Sequence, residues 1–285
     1  MPLRKQSLDL IDRCKEIIKD YEIEGYKLTL RQLYYQLVSQ NIIENKESSY
    51  KSLGKIITKA RKKGLLEIDC LEDRSRSINE IVHWSDYQHG IQSLLNQFKL
   101  DLWLLQPYRP IVLIEKEALS GVIESLMRKL RVDFIACKGY LSLSFINELY
   151  NKITDVFDKK EYSQKVIFFY MGDHDPSGLD MPRYIKESLD QLNGYNNLYY
   201  EFKSLGLNKQ QIREYKLAPN PAKQTDSRFK SYKKIHGFKS WELDALNPKV
   251  INNIFKKEIE NLIDQDKFML MVKKEEAEIK KLKSF

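Results

Sequence analysis

Three consecutive stretches constrain this chain more than any other feature. PIVLIEKEALSGVIESLMRKL (110–130), VDFIACKGYLSLSFINELYNKI (132–153) and KVIFFYMGDHDPSGLDMPRYIKESLDQL (165–192) each run from a short continuous apolar segment through a small loop into a helical pattern. An apolar run without alternation reads as a strand buried on both faces, and repeated strand–helix units predict a parallel, doubly wound sheet. A further strand around LYYEFKSLGL (198–207) is expected to extend it. In such sheets functional sites lie beyond the carboxyl ends of the strands.

The preceding hundred or so residues follow a different period. Leu8, Ile11, Cys14 and Ile17/Ile18 space as a helix over 6–20. Thr29 suits the N-cap of a second helix, LRQLYYQLVSQN, and a third from about Ser49 to Arg61 stops at Gly64. LLEIDCLEDRSR then reads as a short strand and turn. Three helices followed by a strand-like arm is the order of a winged helix; a plain small helical bundle has the same helix order. A helical stretch over 86–106 is broken by Gln106-Pro107 and Arg109-Pro110, which sets a boundary. The expected class is therefore α/β: an all-α, winged-helix N-terminal domain with a linker helix over 1–106, and a parallel-sheet domain over 107–285. The latter carries a basic loop and a charged helical tail.

Charge narrows the partners. The net charge is +8, and it is concentrated in two places. Tyr50 to Gly64 holds six Lys or Arg and no acid, including Lys55, Lys59, Arg61, Lys62 and Lys63 on the third helix. Residues 203–240 hold ten basic residues against Glu214 and Asp226. Two local basic concentrations point to a polyanion, nucleic acid first, against a plain solvated Lys-rich surface. No apolar run reaches membrane-spanning length, and the charged N-terminus lacks a signal-peptide core. Three scattered cysteines, Cys14, Cys70 and Cys137, read as reduced thiols of a cytoplasmic protein.

The chemistry concentrates at the strand ends. Glu115 ends the PIVLI strand, and Asp173 and Asp175 end VIFFYM. Residues two apart in extended chain share a side, so the aspartates converge, and Glu115 joins them if the strands are neighbours. Carboxylates without a partner cation repel, which makes Glu115, Asp173 and Asp175 candidate ligands of Mg²⁺ or Mn²⁺. Two alternatives compete. Asp175 alone can cap the helix that starts at Pro176. DHDPSG also begins like an EF-hand loop, but Tyr184 stands where the closing Glu belongs and a strand precedes it. His174 faces away from the aspartates and is not counted as a ligand. Glu242 and Asp244 read as structural, and Glu117 equally as an outer-shell group or a solvated charge.

On the second helix Leu30, Leu33, Tyr34 and Leu37 form a core stripe. Tyr34 therefore packs inward, while Tyr35 lies about 100° further round, beside Arg31 one turn earlier. Tyr35 is then either a surface tyrosine lying on Arg31 or a nucleophile whose phenolate the guanidinium favours. KLAPNPAKQTDSRFKSYKKIHGFKSWELDAL (216–246) reads as an extended basic loop, with Tyr232 and Phe238 as stacking groups or else packed on the sheet.

Taken together, IEKEALSG, CKGYLSLSF and GDHDPSGLDM, in that order, resemble a Toprim domain. The variant is that of the A subunit of DNA topoisomerase VI and of its relative that makes meiotic double-strand breaks. TLRQLYYQL is similar to the Arg-x-x-Tyr-Tyr segment of that family's winged helix, and the likeness covers most of residues 25–190. It implies Mg-dependent cleavage of double-stranded DNA by transesterification, with Tyr35 becoming linked to the 5′ end. Arg31 would stabilise charge on phosphorus, and Glu115 would act as metal ligand and general acid or base. Lys138, Arg74 and Arg76 would contact phosphate. The family draws tyrosine and carboxylates from different subunits, which implies a homodimer. No docking segment for an ATPase B-type partner is legible, nor a Gly-x-x-x-x-Gly-Lys loop, so a compact A-type protein without ATP-coupled strand passage is expected, of the sort found on phages and mobile elements. A hydrolytic Toprim nuclease and a non-catalytic DNA-binding protein are the alternatives.

Overall fold

Each of the three strand–loop–helix units is present, and a fourth strand joins them. The computed structural model describes residues 5–73, 81–158, 164–193 and 198–283. The first part holds α1 (Lys5–Ile23), α2 (Leu30–Ser39), α3 (Glu47–Lys62) and α4 (Tyr87–Gln97). Then come β1 (Tyr108–Ile114), α5 (Ser120–Leu130), β2 (Asp133–Ala136), α6 (Leu143–Asp158), β3 (Lys165–Met171), α7 (Pro176–Leu192) and β4 (Tyr200–Gly206). The remainder runs α8 (Lys209–Glu214), β5 (Asn220–Pro221), α9 (Phe229–His236), β6 (Lys239–Ser240), α10 (Pro248–Glu260) and α11 (Gln265–Leu282).

The main sheet has the order β2-β1-β3-β4, and every neighbouring pair is parallel. β1 and β3 pair along their whole length, from Tyr108 beside Lys165 to Ile114 beside Met171. Glu115 and the Gly172–Asp173 step therefore leave the sheet side by side, as convergence of their carboxylates requires. Alternate residues of β1 serve opposite faces. Val112 and Ile114 join α5, α10 and the N-terminal helices in one core, while Ile111 and Leu113 pack with α6 and α7 in another. The first core runs without a break into Ile11, Leu33, Leu37 and Leu53 of α1–α3, so the N-terminal helices are anchored on one face of the sheet. A fully buried Leu or Ile of this kind contributes about 1.5–3 kcal/mol.

Local signals placed most helices. Thr29 caps α2 with a reciprocal capping box to Gln32, and Gly64 takes the left-handed conformation after α3. Three expectations are corrected. Residues 65–73 form turns, not a strand; they touch sheet-like structure only where Glu72 bridges Thr29. Leu66, Cys70 and Leu71 are buried there while Ile68 is exposed, a spacing that does not alternate. The helix expected over 86–106 is confined to α4. Residues 216–246 are not an extended loop: β5, α9, β6 and a 3₁₀ turn at Leu243–Ala245 fold back onto the carboxyl ends of the strands. All three cysteines are free thiols in the interior, and burial pushes that of Cys14 up to about 12. No helix among the described residues is long and apolar enough to cross a membrane.

Candidate active site

Glu115 and Asp173 meet where β1 and β3 end. The backbone N–H of Asp173 donates to Glu115 Oε2 at 2.7 Å, and the buried Tyr170 hydroxyl approaches the same oxygen at 3.4 Å. Glycine makes this possible. A Cβ at Gly172 would stand 2.6 Å from Glu115 Oε2, and one at Gly178 would stand 2.9 Å from it while colliding with the Asp173 carbonyl. The substitution Gly178→Ala is expected to destabilise the fold by about 1–3 kcal/mol, read as a lowered urea midpoint. Retention of the wild-type midpoint would mean that the Glu115 pocket has room for a methyl group.

The second aspartate behaves differently. Asp175 caps α7, accepting from Gly178 N at 2.7 Å and from the Ser177 hydroxyl at 3.0 Å through one oxygen, Oδ1. Its carboxylate bears on Glu115 only at longer range, through charge.

The centre of the cluster is a residue that sequence reading passed over. The Lys116 ammonium lies 2.8 Å from Asp173 Oδ2 and 3.5 Å from Asp244 Oδ2, and it is hydrogen-bonded to Glu242. Asp173 also accepts from the Leu243 N–H at 2.7 Å, which ties β3 to the 3₁₀ turn. Arg31 closes the arrangement from α2, with 2.7 Å to Glu242 and 2.9 Å to Asp244. Glu242 and Asp244, read above as structural, are thus part of the same group as Glu115 and Asp173. The expectation that the carboxylates lack a cationic partner is corrected, because Lys116 supplies one.

Charge is still not balanced. Glu115, Asp173, Glu242 and Asp244 carry four formal negative charges against two on Lys116 and Arg31. Burial holds Glu115 above the usual carboxylate range, with Asp175 adding to it. Burial holds Asp173 and Asp244 up as well, despite Lys116. Burial acts on Glu242 in the same sense, but Lys116 and Arg31 together bring it below its ordinary value. The same carboxylates keep the Lys116 ammonium firmly protonated although it is buried. No group of three His, Cys, Asp or Glu among the described residues converges at metal-ligand geometry.

Tyr35 stands against this cluster within the same chain. The Arg31 guanidinium is 5.8 Å from its ring centre, and Asn220 Nδ2 donates to its hydroxyl at 3.4 Å. Asn220 is itself held by Asn45 Nδ2 at 2.8 Å, and Asn45 accepts from the Tyr34 hydroxyl at 3.0 Å. Tyr34 packs inward as its helical spacing predicts, but Tyr35 is not a surface tyrosine. It is 6% exposed, covered by Asn220. Burial and then Glu242 raise its pKa; the Asn220 hydrogen bond, Arg31 and Lys116 oppose this without prevailing, so the expected net preference for phenolate is corrected. A cavity of about 500 Å³ opens onto Arg31, Tyr35, Lys46 and Asn220, and another of about 480 Å³ lies on the α3 side of Arg31.

The basic residues fall into three groups. Lys55, Lys59 and Lys62 are exposed on α3 and Lys63 at its C-cap, whereas Arg61 is half-buried and reaches the Leu71 carbonyl. Lys138, in a left-handed turn, pairs with Glu117 at 2.6 Å and stays largely exposed. Arg74 and Arg76 lie outside the described residues. Of the aromatic pair, Tyr232 is buried with its hydroxyl donating to the carbonyls of His174 and Lys239, which removes it as a stacking group. Phe238 is exposed beneath Lys233.

His174 points away from Glu115, as its place between the aspartates implies. Its Nδ1 lies 2.9 Å from the Leu207 carbonyl, and its Nε2 lies 3.2 Å from His236 Nδ1. Burial depresses both imidazoles, and nearby Lys209 adds to this. A histidine with a depressed folded-state pKa takes up its proton more readily when unfolded. Its stability contribution is therefore complete above the ordinary imidazole range and is lost as pH falls through it. The melting temperature is expected to fall between pH 7 and pH 5, with a shallower slope in His236→Asn, whose amide can replace the Nδ1 donor. An unchanged slope would exclude the pair as its source.

Comparison with models of protein families, with characterised proteins and with solved structures finds no match to this chain.

Proposed function

We propose that this chain is a metal-assisted DNA-cleaving transesterase in which Tyr35 attacks a backbone phosphate, within a winged-helix and Toprim arrangement of the topoisomerase VI A-subunit type. One observation carries the reading: Tyr35 and Arg31, from α2, sit beside the carboxylates at the ends of β1 and β3. In the proposed step the phenolic oxygen bonds to phosphorus and the P–O3′ bond breaks. Glu242, the acid that bears most on the phenol, takes its proton, and the departing 3′ oxygen takes one from solvent water, so that Glu115 remains a carboxylate. Arg31 stabilises charge on the phosphoryl oxygens. Asn220 donates to the phenolic oxygen and so stabilises the phenolate that forms.

The donor set fits a hard divalent cation. All its ligating atoms are oxygen, it carries two surplus formal negative charges, and among the described residues Asp244 Oδ1 is buried with neither a hydrogen bond nor an ion pair. Glu115 and Asp173 would hold Mg²⁺ or Mn²⁺, and the ion would neutralise charge on the reacting phosphate. The exposed lysines of α3 and Lys138 would hold the duplex by its phosphates.

Burial of Tyr35 supports a second reading, in which water replaces the phenol and the cut ends are free. Labelled supercoiled DNA incubated with the protein and Mg²⁺ or Mn²⁺, then resolved with and without protease, separates the two. Ends released only by protease are expected. Free ends would favour hydrolysis, and binding without cleavage in either metal would leave a DNA-binding protein only.

A further inference from the structure

The cavity of about 500 Å³ beside Tyr35 has walls of a particular kind. Tyr34 and Tyr35 reach it from α2, Tyr50 from α3, and Asn220 and Pro221 from β5. Pro221 is the one aliphatic side chain among the described residues that line it. The three rings hold one another edge to face, Tyr34 lying 5.1 Å from Tyr35 and 5.4 Å from Tyr50 between centres. Tyr50 is half-buried and lines the neighbouring cavity of about 480 Å³ as well. Its hydroxyl makes no hydrogen bond among the described residues. Two amides stand opposite the rings. Asn45 is spent, donating to the Pro219 carbonyl and to Asn220 Oδ1 while it accepts from Tyr34. Asn220 gives one N–H to Tyr35 and keeps the other without a partner among the described residues. A fatty ligand finds no aliphatic wall here. Aromatic rings beside unspent amide and hydroxyl groups suit a planar group with a polar edge, the combination that holds an unstacked base. The volume falls within the range of small-ligand sites.

We propose that this cavity takes a nucleobase next to the phosphate that Tyr35 attacks, drawn out of the stack and laid against Tyr50. The inference rests on the reading of Tyr35 and Arg31 as the groups that handle phosphate. Arg31 carries the connection: it lines the cavity, and its guanidinium is 5.8 Å from the centre of the Tyr35 ring. A phosphate held by Arg31 therefore brings its own nucleoside to the cavity mouth. Inside, the base stacks on an aromatic face, and the free Tyr50 hydroxyl and Asn220 N–H meet its edge. Such a pocket gives the protein a choice of sequence that its surface lysines cannot give, because contacts to phosphate carry no sequence information. Extruding a base costs least where stacking is weak. Cuts are therefore expected to gather at pyrimidine–purine steps, which unstack most easily.

Photocrosslinking of the wild-type protein tests this without requiring a cut. Duplexes carrying 5-iodopyrimidines in one set and 8-bromopurines in another are bound in Mg²⁺ and irradiated, and the linked peptide is mapped by mass spectrometry. A link at Tyr50 is expected. Links confined to the lysines of α3 overturn the proposal. So does a Tyr50 link that millimolar nucleoside monophosphate abolishes while the duplex stays bound, which assigns the cavity to a free nucleotide. The second readout is the sequence beside each protein-linked end. Tyr50→Leu is expected to flatten the base preference at the flanking position by roughly tenfold, the worth of one stacked base, and Tyr50→Phe to keep it. The melting profile of each variant checks folding. An unchanged preference in Tyr50→Leu overturns the base pocket and leaves the chemistry of Tyr35 standing. A Tyr50 link without protein-linked ends does the reverse: it keeps the pocket and removes the transesterification.

Discussion

Replacement of Tyr35 by Phe is expected to abolish protein-linked DNA ends while leaving DNA binding within a factor of two or so. The variant removes the attacking oxygen and one 3.4 Å hydrogen bond from Asn220, and nothing else. Its stability loss should be about 1 kcal/mol, the worth of a single hydrogen bond, so the folded protein survives to be assayed. Cleavage should fall by a factor of about 10³ or more, since no neighbouring group can take over as nucleophile. Tyr34 is not a substitute, because its hydroxyl faces Asn45 and the Lys46 carbonyl. Asn220→Leu keeps the nucleophile but removes the donor to its oxygen. A loss of about 10²-fold is expected there, the scale seen when one donor to a developing oxyanion is deleted. Covalent ends that persist in Tyr35→Phe would remove the tyrosine from the mechanism.

Lys116→Met is expected to produce the largest stability effect of any single change at the site. The ammonium faces Asp173, Glu242 and Asp244 at once and is mostly buried. Removing one partner from a buried ionic group costs about 3–5 kcal/mol, because the remaining charges stay buried and unpaired. Divalent cations should recover part of this loss. Millimolar Mg²⁺ should raise the melting temperature of Lys116→Met more than that of wild type, by the ordinary linkage between binding and folding. Equal shifts in the two proteins would show that the carboxylates bind no cation where Lys116 stands. This outcome is separable from the cleavage assay, as it is read without DNA.

The sheet was legible in the sequence because apolar runs of strand length, each followed by a helical pattern, leave few other folds. The adjacency of Glu115 and Asp173 follows from that order once β1 and β3 pair. The proximity of Tyr35 to Arg31 was legible as well, since helical spacing is local. What the sequence concealed depends on distant segments meeting. Arg31 and Glu242 are 211 positions apart, so nothing local distinguishes Glu242-x-Asp244 from surface acids. Lys116 follows a strand end, where a lysine ordinarily faces water. Tyr35 reads as exposed on its own helix, and only the return of Asn220 covers it. Residues 65–73 resemble a strand because Leu66, Ile68 and Cys70 alternate with Glu67 and Asp69, whereas burial of Leu66, Cys70 and Leu71 follows the core they share with α1, α2 and α3.

Arg31 answers to two masters under the proposed reading. Its guanidinium now neutralises Glu242 and Asp244, yet a backbone phosphate would claim the same nitrogens. An arriving anion therefore takes from two acids one of their two counter-ions, leaving Lys116 alone against them and favouring another cation. A divalent ion settling among those acids in turn frees the guanidinium for phosphate. By linkage each ligand tightens the other by the same factor, so nucleic acid and metal should load together on this protein, with neither alone saturating readily.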